Sequence, residues 1–218
     1  MEHVDVLICT PGRSMEAAYV RSFAETIGEL QRAGISWRFL SQYSSIVSEA
    51  REATATGSID IQLDHRGPLA DAVTYNKMFW IDSDIAWRPK EFLALYRSEH
   101  AIVSGVYVMQ NGIVAAEGKG LDETVGSGAV VEVNSAGFGF IAVQSGVFES
   151  LDRPWFSVNF ESRWTSGGKR VRMPIGEDVA WCRRVRDGGH KIYLDTSVRV
   201  QHLKVSPLIF QTAKDNPR

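Results

Sequence analysis

Four short apolar runs, three of them followed by a segment of helical period, fill the first 110 residues, and this alternation limits the chain to an α/β sheet. Residues 4–9 are a buried run stopped by Thr10-Pro11-Gly12. Met15, Tyr19, Phe23, Ile27 and Leu30 then recur at steps of four, four, four and three, which places them on one helical face. Gly34 ends that helix, residues 35–40 form a second strand, and residues 46–55 a second helix. Residues 56–74 have no clean period and read as a loop with at most one short helix. Residues 77–81 are a third strand. Pro89 opens a third helix on which Phe92, Leu95 and Tyr96 are apolar, and residues 101–109 are a fourth strand.

The second half is mixed. Residues 114–117, 130–133 and 138–143 read as strands, 146–151 as a short helix and 176–187 as an amphipathic helix stopped by Gly188-Gly189. Residues 192–194 and 198–202 close the pattern as strands. No linker or repeat divides the 218 residues. The expected architecture is one α/β domain over residues 1–203, with a parallel half at 1–110, a mixed half at 111–203 and a tail at 204–218.

Composition excludes several classes. Two cysteines, Cys9 and Cys182, are too few for a disulfide framework or a four-thiolate zinc site. Apolar runs of five to seven residues are too short to insert in a membrane. A strand beginning near Val4 leaves no room for a signal peptide, so the expected compartment is cytoplasmic. The formal net charge of −2 excludes nucleic-acid binding by overall charge but not by a local patch.

Three motifs carry candidate chemistry. The strand ending Trp80-Ile81-Asp82-Ser83-Asp84 delivers two carboxylates to its carboxyl end, the edge where open α/β sheets bind ligands. Oxygen ligands of this kind suit Mg²⁺ or Mn²⁺. The competing reading is that both carboxylates cap a turn. Gly176-Glu177-Asp178 opens the last helix. Asp178 is a candidate general base and Glu177 a residue orienting the acceptor, although acidic residues at a helix start also serve its dipole. His202, at the end of the last strand, is a candidate metal ligand beside Asp84.

In this order the motifs resemble the nucleotide-sugar glycosyltransferases of the GT-A fold, near family two and its small viral and bacterial relatives. The resemblance runs over residues 4–203. Its pieces are Cys9-Thr10-Pro11-Gly12-Arg13, Glu49-Ala50-Arg51, Phe79-Trp80-Ile81-Asp82-Ser83-Asp84, Ser104-Gly105-Val106-Tyr107, Ser135-Ala136-Gly137-Phe138, Gly176-Glu177-Asp178 and Val200-Gln201-His202. It implies a mostly parallel sheet flanked by helices and a metal-dependent transfer from a nucleotide-diphosphate sugar, a uridine one, to an acceptor hydroxyl. It implies that Thr10, Pro11 and Arg13 line the base and ribose pocket and that Arg51 meets the nucleotide or its phosphates. Asp82, Ser83 and Asp84 would meet ribose and metal, with His202 as the late metal ligand. Gly137 and Phe138 would lie beside the sugar or acceptor, and Asp178 matches the base of inverting members. Other classes fit less well: there is no Gly-x-x-x-x-Gly-Lys loop and no Gly-x-Ser-x-Gly elbow. A sugar nucleotidyltransferase and a catalytically silent binding module are the alternatives.

Residues 163–191 carry eight Lys or Arg against three Asp or Glu, a net of +5 that leaves −7 for the rest of the chain. Within it, residues 163–172 read as a mobile basic loop clamping a polyanionic acceptor through Lys169, Arg170 and Arg172, with Trp164 or Trp155 as a stacking surface. A solvated hairpin is the competing reading. The expected acceptor is a hydroxymethylated pyrimidine in DNA, and a surface polysaccharide or small molecule is the alternative.

Overall fold

The computed structural model describes residues 1–204 apart from 59, 61, 62 and 111. The tail expected at 204–218 therefore lies outside the described residues beyond Lys204. Strand β1 (Glu2–Cys9) leads to α1 (Ala17–Arg32), β2 (Trp37–Leu40) and α2 (Val47–Thr56). A short left-handed turn, α3 (Pro68–Asp71), precedes β3 (Val73–Ile81), β4 (Ile85–Ala86), α4 (Pro89–Arg97) and β5 (Ile102–Val106). Then come β6 (Ala116–Glu117), α5 (Leu121–Thr124), β7 (Val130–Val133), β8 (Ser135–Ala136) and β9 (Phe140–Gln144). The hairpin β10 (Asn159–Trp164) and β11 (Arg170–Ile175), helix α6 (Glu177–Asp187), β12 (Ile192–Arg199) and β13 (Gln201–His202) complete the order.

Seven strands form the central sheet in the order β2-β1-β3-β9-β5-β12-β7. β2, β1, β3, β5 and β12 run the same way, and β9 and β7 oppose them. Strands buried on both faces explain the near-continuous apolar runs of β1, β3 and β5. One face packs Tyr19 and Leu30 of α1 and Phe92 and Leu95 of α4 against Ile8, Phe79 and Val103. The other packs Trp181, Cys182 and Val185 of α6, with Phe148 and Trp155, against Leu7, Trp80 and Ile141. The result is a mostly parallel sheet between two helical layers, as expected.

Two local expectations are corrected. Residues 146–151 are a set of turns, not a helix. Gly146 sits at φ +95° and its N–H donates to the Glu149 side chain, and the single helical-type bond, from the Ser150 N–H to the Gly146 carbonyl, is not continued. Residues 163–172 take the competing hairpin reading rather than that of a mobile loop: they are the end of β10 and the start of β11, joined by a turn with Gly168 at φ +72°.

Candidate functional site

The carboxyl end of β3 is held from two sides. The Asp82 N–H donates to the Gly139 carbonyl at 3.1 Å, and that of Ile85 to the Asp82 carbonyl at 3.0 Å, closing a tight turn. β4 pairs antiparallel with β13, setting His202 opposite Ile85. The Leu203 N–H donates to the Asp84 carbonyl at 2.7 Å. This short ladder brings together side chains 118 positions apart: His202 Nε2 lies 3.3 Å from Asp84 Oδ2. On the other side of the imidazole, Nδ1 is 2.9 Å from the Val108 carbonyl, and the Tyr107 ring meets it edge-on at 5.5 Å.

This arrangement tests the expected metal site. A carbonyl accepts only, so Nδ1 must carry the proton. Nε2 then faces a carboxylate oxygen, as its ion-pair partner when the ring is protonated and as a second acceptor open to a shared cation when it is not. A carboxylate and an imidazole whose other nitrogen is held by a carbonyl form a donor set that fits Mn²⁺ or Mg²⁺. The set is small: among the described residues no group of three or more His, Cys, Asp or Glu side chains converges. Diphosphate oxygens and water would have to complete it. Sequence reasoning missed Lys204, whose ammonium lies 2.7 Å from Asp84 Oδ2. Its signal was available, a cation two residues after the candidate ligand.

Asp82 turns away from this pair. Its Oδ1 accepts from Arg51 Nη2 at 2.9 Å, while Arg51 Nε donates to Glu177 Oε1 at 3.0 Å. Arg51 thus ties α2, the end of β3 and the start of α6 together. Its guanidinium is buried against the Trp80 and Phe138 rings, with Nη1 unpaired. Burial works against its charge, but Asp82 and then Glu177 outweigh it and hold the proton more firmly than usual. Arg51, expected to approach the nucleotide or its phosphates, is in this geometry buried and held between Asp82 and Glu177.

Asp178 follows Glu177 in the first turn of α6 and is half-buried. Its Oδ1 accepts the Val179 N–H at 2.7 Å, leaving Oδ2 for another partner. Burial raises its pKa above the ordinary carboxylate value, the Glu177 charge adds to this, and the Val179 N–H and Arg51 oppose it. A Cβ on Gly176 would meet Asp178 Oδ1 at 2.6 Å, so a glycine here is what lets the carboxylate fold back.

Other expected residues divide. Pro11 is half-buried and Arg13 exposed on the loop after β1. That loop reaches the β3 turn, since the Glu16 N–H donates to the Ser83 carbonyl at 3.0 Å. The Thr10 side chain does not line a pocket: it is fully buried and its hydroxyl bonds the Tyr19 hydroxyl at 2.5 Å. Phe138 is likewise a core residue, packed edge-on against Trp181 and Phe156. The close approach that Gly137 permits is to Tyr107, whose hydroxyl would lie 2.1 Å from a Cβ there. Trp155 is 0% exposed and packs against Phe148 in the core, so it is no acceptor surface. Trp164 is 73% exposed at the end of β10, and Lys169, Arg170 and Arg172 are exposed beside it.

No family model and no curated protein matches this chain. Solved structures do. A197 from STIV superposes with a TM-score of 0.54 at 16% identity over 96% of this chain and 99% of its own. The catalytic domain of Drosophila beta1,4-galactosyltransferase 7, in complex with xylobiose, gives 0.53 at 12% identity over 94% of this chain and 72% of its own. GalNAc-T7, solved with UDP, GalNAc and Mn²⁺, gives 0.54 at 8% identity over 92% of this chain, which spans 44% of that structure's length. At these identities the likeness is one of fold: a GT-A-like sheet, shared with glycosyltransferase catalytic domains.

Proposed function

We propose that this chain is a glycosyltransferase that moves a sugar from a nucleotide-diphosphate sugar, a UDP-sugar, to an acceptor hydroxyl with the help of Mn²⁺ or Mg²⁺. The observation that carries this reading is the pairing of Asp84 with His202 across the β4–β13 ladder, at the sheet edge where Arg51 also anchors the start of α6. The likeness to structures solved with a UDP and Mn²⁺ or with a sugar ligand supports it.

A divalent cation held by Asp84 and His202 would neutralise the diphosphate as it leaves. In an inverting transfer, Asp178 Oδ2 takes the proton of the acceptor hydroxyl while its oxygen bonds the sugar carbon and the bond from that carbon to the diphosphate breaks. Arg51 holds Glu177 and thereby the first turn of α6. Pro11 and Arg13 border the base and ribose. Hydroxymethylated DNA as acceptor rests on the basic segment and the exposed Trp164, because Trp155 belongs to the core. Among the described residues no helix is long and apolar enough to cross a membrane.

Titration calorimetry with UDP, in Mn²⁺ and in excess chelator, tests the reading. Binding is expected only with the metal, and lost in Asp84→Ala. Equal binding in chelator, or none in either condition, overturns it.

A further inference from the structure

Among the described residues the hairpin β10–β11 pairs with no other strand. In an antiparallel pair, directly opposed residues share a face. The register sets Phe160 opposite Pro174, Ser162 opposite Arg172 and Trp164 opposite Arg170 on one face. Asn159, Glu161 and Arg163 share the other with Ile175, Met173 and Val171. Burial decides which face looks outward. Glu161, Val171 and Ile175 are half-buried, whereas all six residues of the first face are exposed, Phe160 by 53% and Trp164 by 73%. Glu161 pairs with Arg163 on its own strand and, at 3.0 Å, with Arg183 of α6, which fixes the inner face to the helix.

The outer face is therefore sorted by strand. β10 presents two aromatic rings, Phe160 and Trp164, four positions apart and so ~14 Å from one another. β11 presents Arg170 and Arg172, two positions and so ~7 Å apart, and the exposed Lys169 extends that row into the turn. Arg172 leans over the Phe160 ring at 4.9 Å. The hairpin's acidic residue, Glu161, lies on the inner face.

We infer that this outer face is a docking surface for single-stranded nucleic acid, with the phosphodiester backbone along β11 and bases stacked on Phe160 and Trp164. A row of cations beside a row of rings matches a chain whose charges run along one edge and whose planar groups project from the other. An anionic polysaccharide carries its charges on the rings that would stack, and does not divide in this way. β11 runs directly into Gly176 and the first turn of α6, so the surface is continuous in the chain with the helix start that carries Asp178. In its role as acceptor platform the surface rests on the transferase reading; its binding property does not.

Fluorescence anisotropy on the full chain tests the surface, using a labelled oligothymidylate, a duplex of equal length and labelled polygalacturonate. The single strand is expected to bind most tightly, with a log–log salt slope of about −2 for three cations. Trp164→Ala is expected to weaken it about tenfold. The double change Arg170→Gln with Arg172→Gln is expected to reduce the slope by about 1.4. UDP binding, measured by calorimetry on each variant, is expected to stay unchanged. Tighter binding of duplex or polygalacturonate, a single-strand Kd weaker than about 100 µM, or variants indistinguishable from the parent would overturn the inference. Loss of UDP binding in the unaltered chain would sink the transferase reading while leaving this one standing.

Discussion

Asp178 is placed under two opposed demands. It sits at a helix N-terminus, where the backbone favours a carboxylate, yet burial and Glu177 disfavour its charge and prevail. A folded-state pKa above the unfolded one means that the native chain binds the proton more tightly. Stability then falls as pH rises from the unfolded pKa through the folded one, and above that window the whole cost of the buried charge is present. Activity follows the opposite sign, because the base must be ionised. Asp178→Asn is therefore expected to keep or raise the melting temperature at neutral pH while lowering turnover about 10²–10⁴-fold, with UDP binding retained. The acid limb of kcat/KM in the unaltered chain should lie above the ordinary carboxylate range. A normal rate in the variant, measured with product detection by mass spectrometry, would reduce Asp178 to a helix-start residue.

At the scale of elements, the sheet edge is assembled by contacts of very different legibility. The apolar run of β3 and the carboxylates after it are visible because a strand buried on both faces writes its own pattern locally. So are α1, α4 and α6, whose periods or boundary residues are intact. The Arg51 bridge was not, since its partners lie 31 and 126 positions away and nothing on α2 marks which face meets α6. The hairpin was legible only as one of two readings: with one face wholly exposed and the other only partly buried, apolar alternation is faint. Arg51 yields a direct test. Replacing it by Met leaves Asp82 and Glu177 facing each other without a counter-charge, and the expected loss is about 3 kcal/mol in urea unfolding. Lys should recover less than half of that, because one ammonium does not reproduce a fork held by two carboxylates. Unchanged stability with loss of UDP binding would instead restore the phosphate role that the sequence suggested.

For the whole molecule, strand order decides what can fold by itself. The chain reads as a parallel half followed by a mixed half, but the sheet interleaves them. β9, from the second half, lies between β3 and β5 of the first, and β12 covers the other edge of β5. A fragment of residues 1–110 would keep β2-β1-β3 and lose both neighbours of β5, leaving Phe79, Trp80 and Val103 without the strand that separates them. The same cut removes Trp181, Phe148 and Trp155, and with them most of one helical layer. Apolar surface of that extent cannot be left in water by a domain whose net stability is about 5–15 kcal/mol. The fragment is thus expected to show no cooperative thermal transition by circular dichroism, while the full chain unfolds in one step. The donor reading adds a second expectation to the same experiment. Since Asp84 belongs to the first half and His202 to the second, UDP with Mn²⁺ should raise the single melting temperature of the full chain, by about 2.7 kcal/mol of stabilisation at a hundredfold excess over Kd. A fragment that melts cooperatively would show that the two halves are separable units after all.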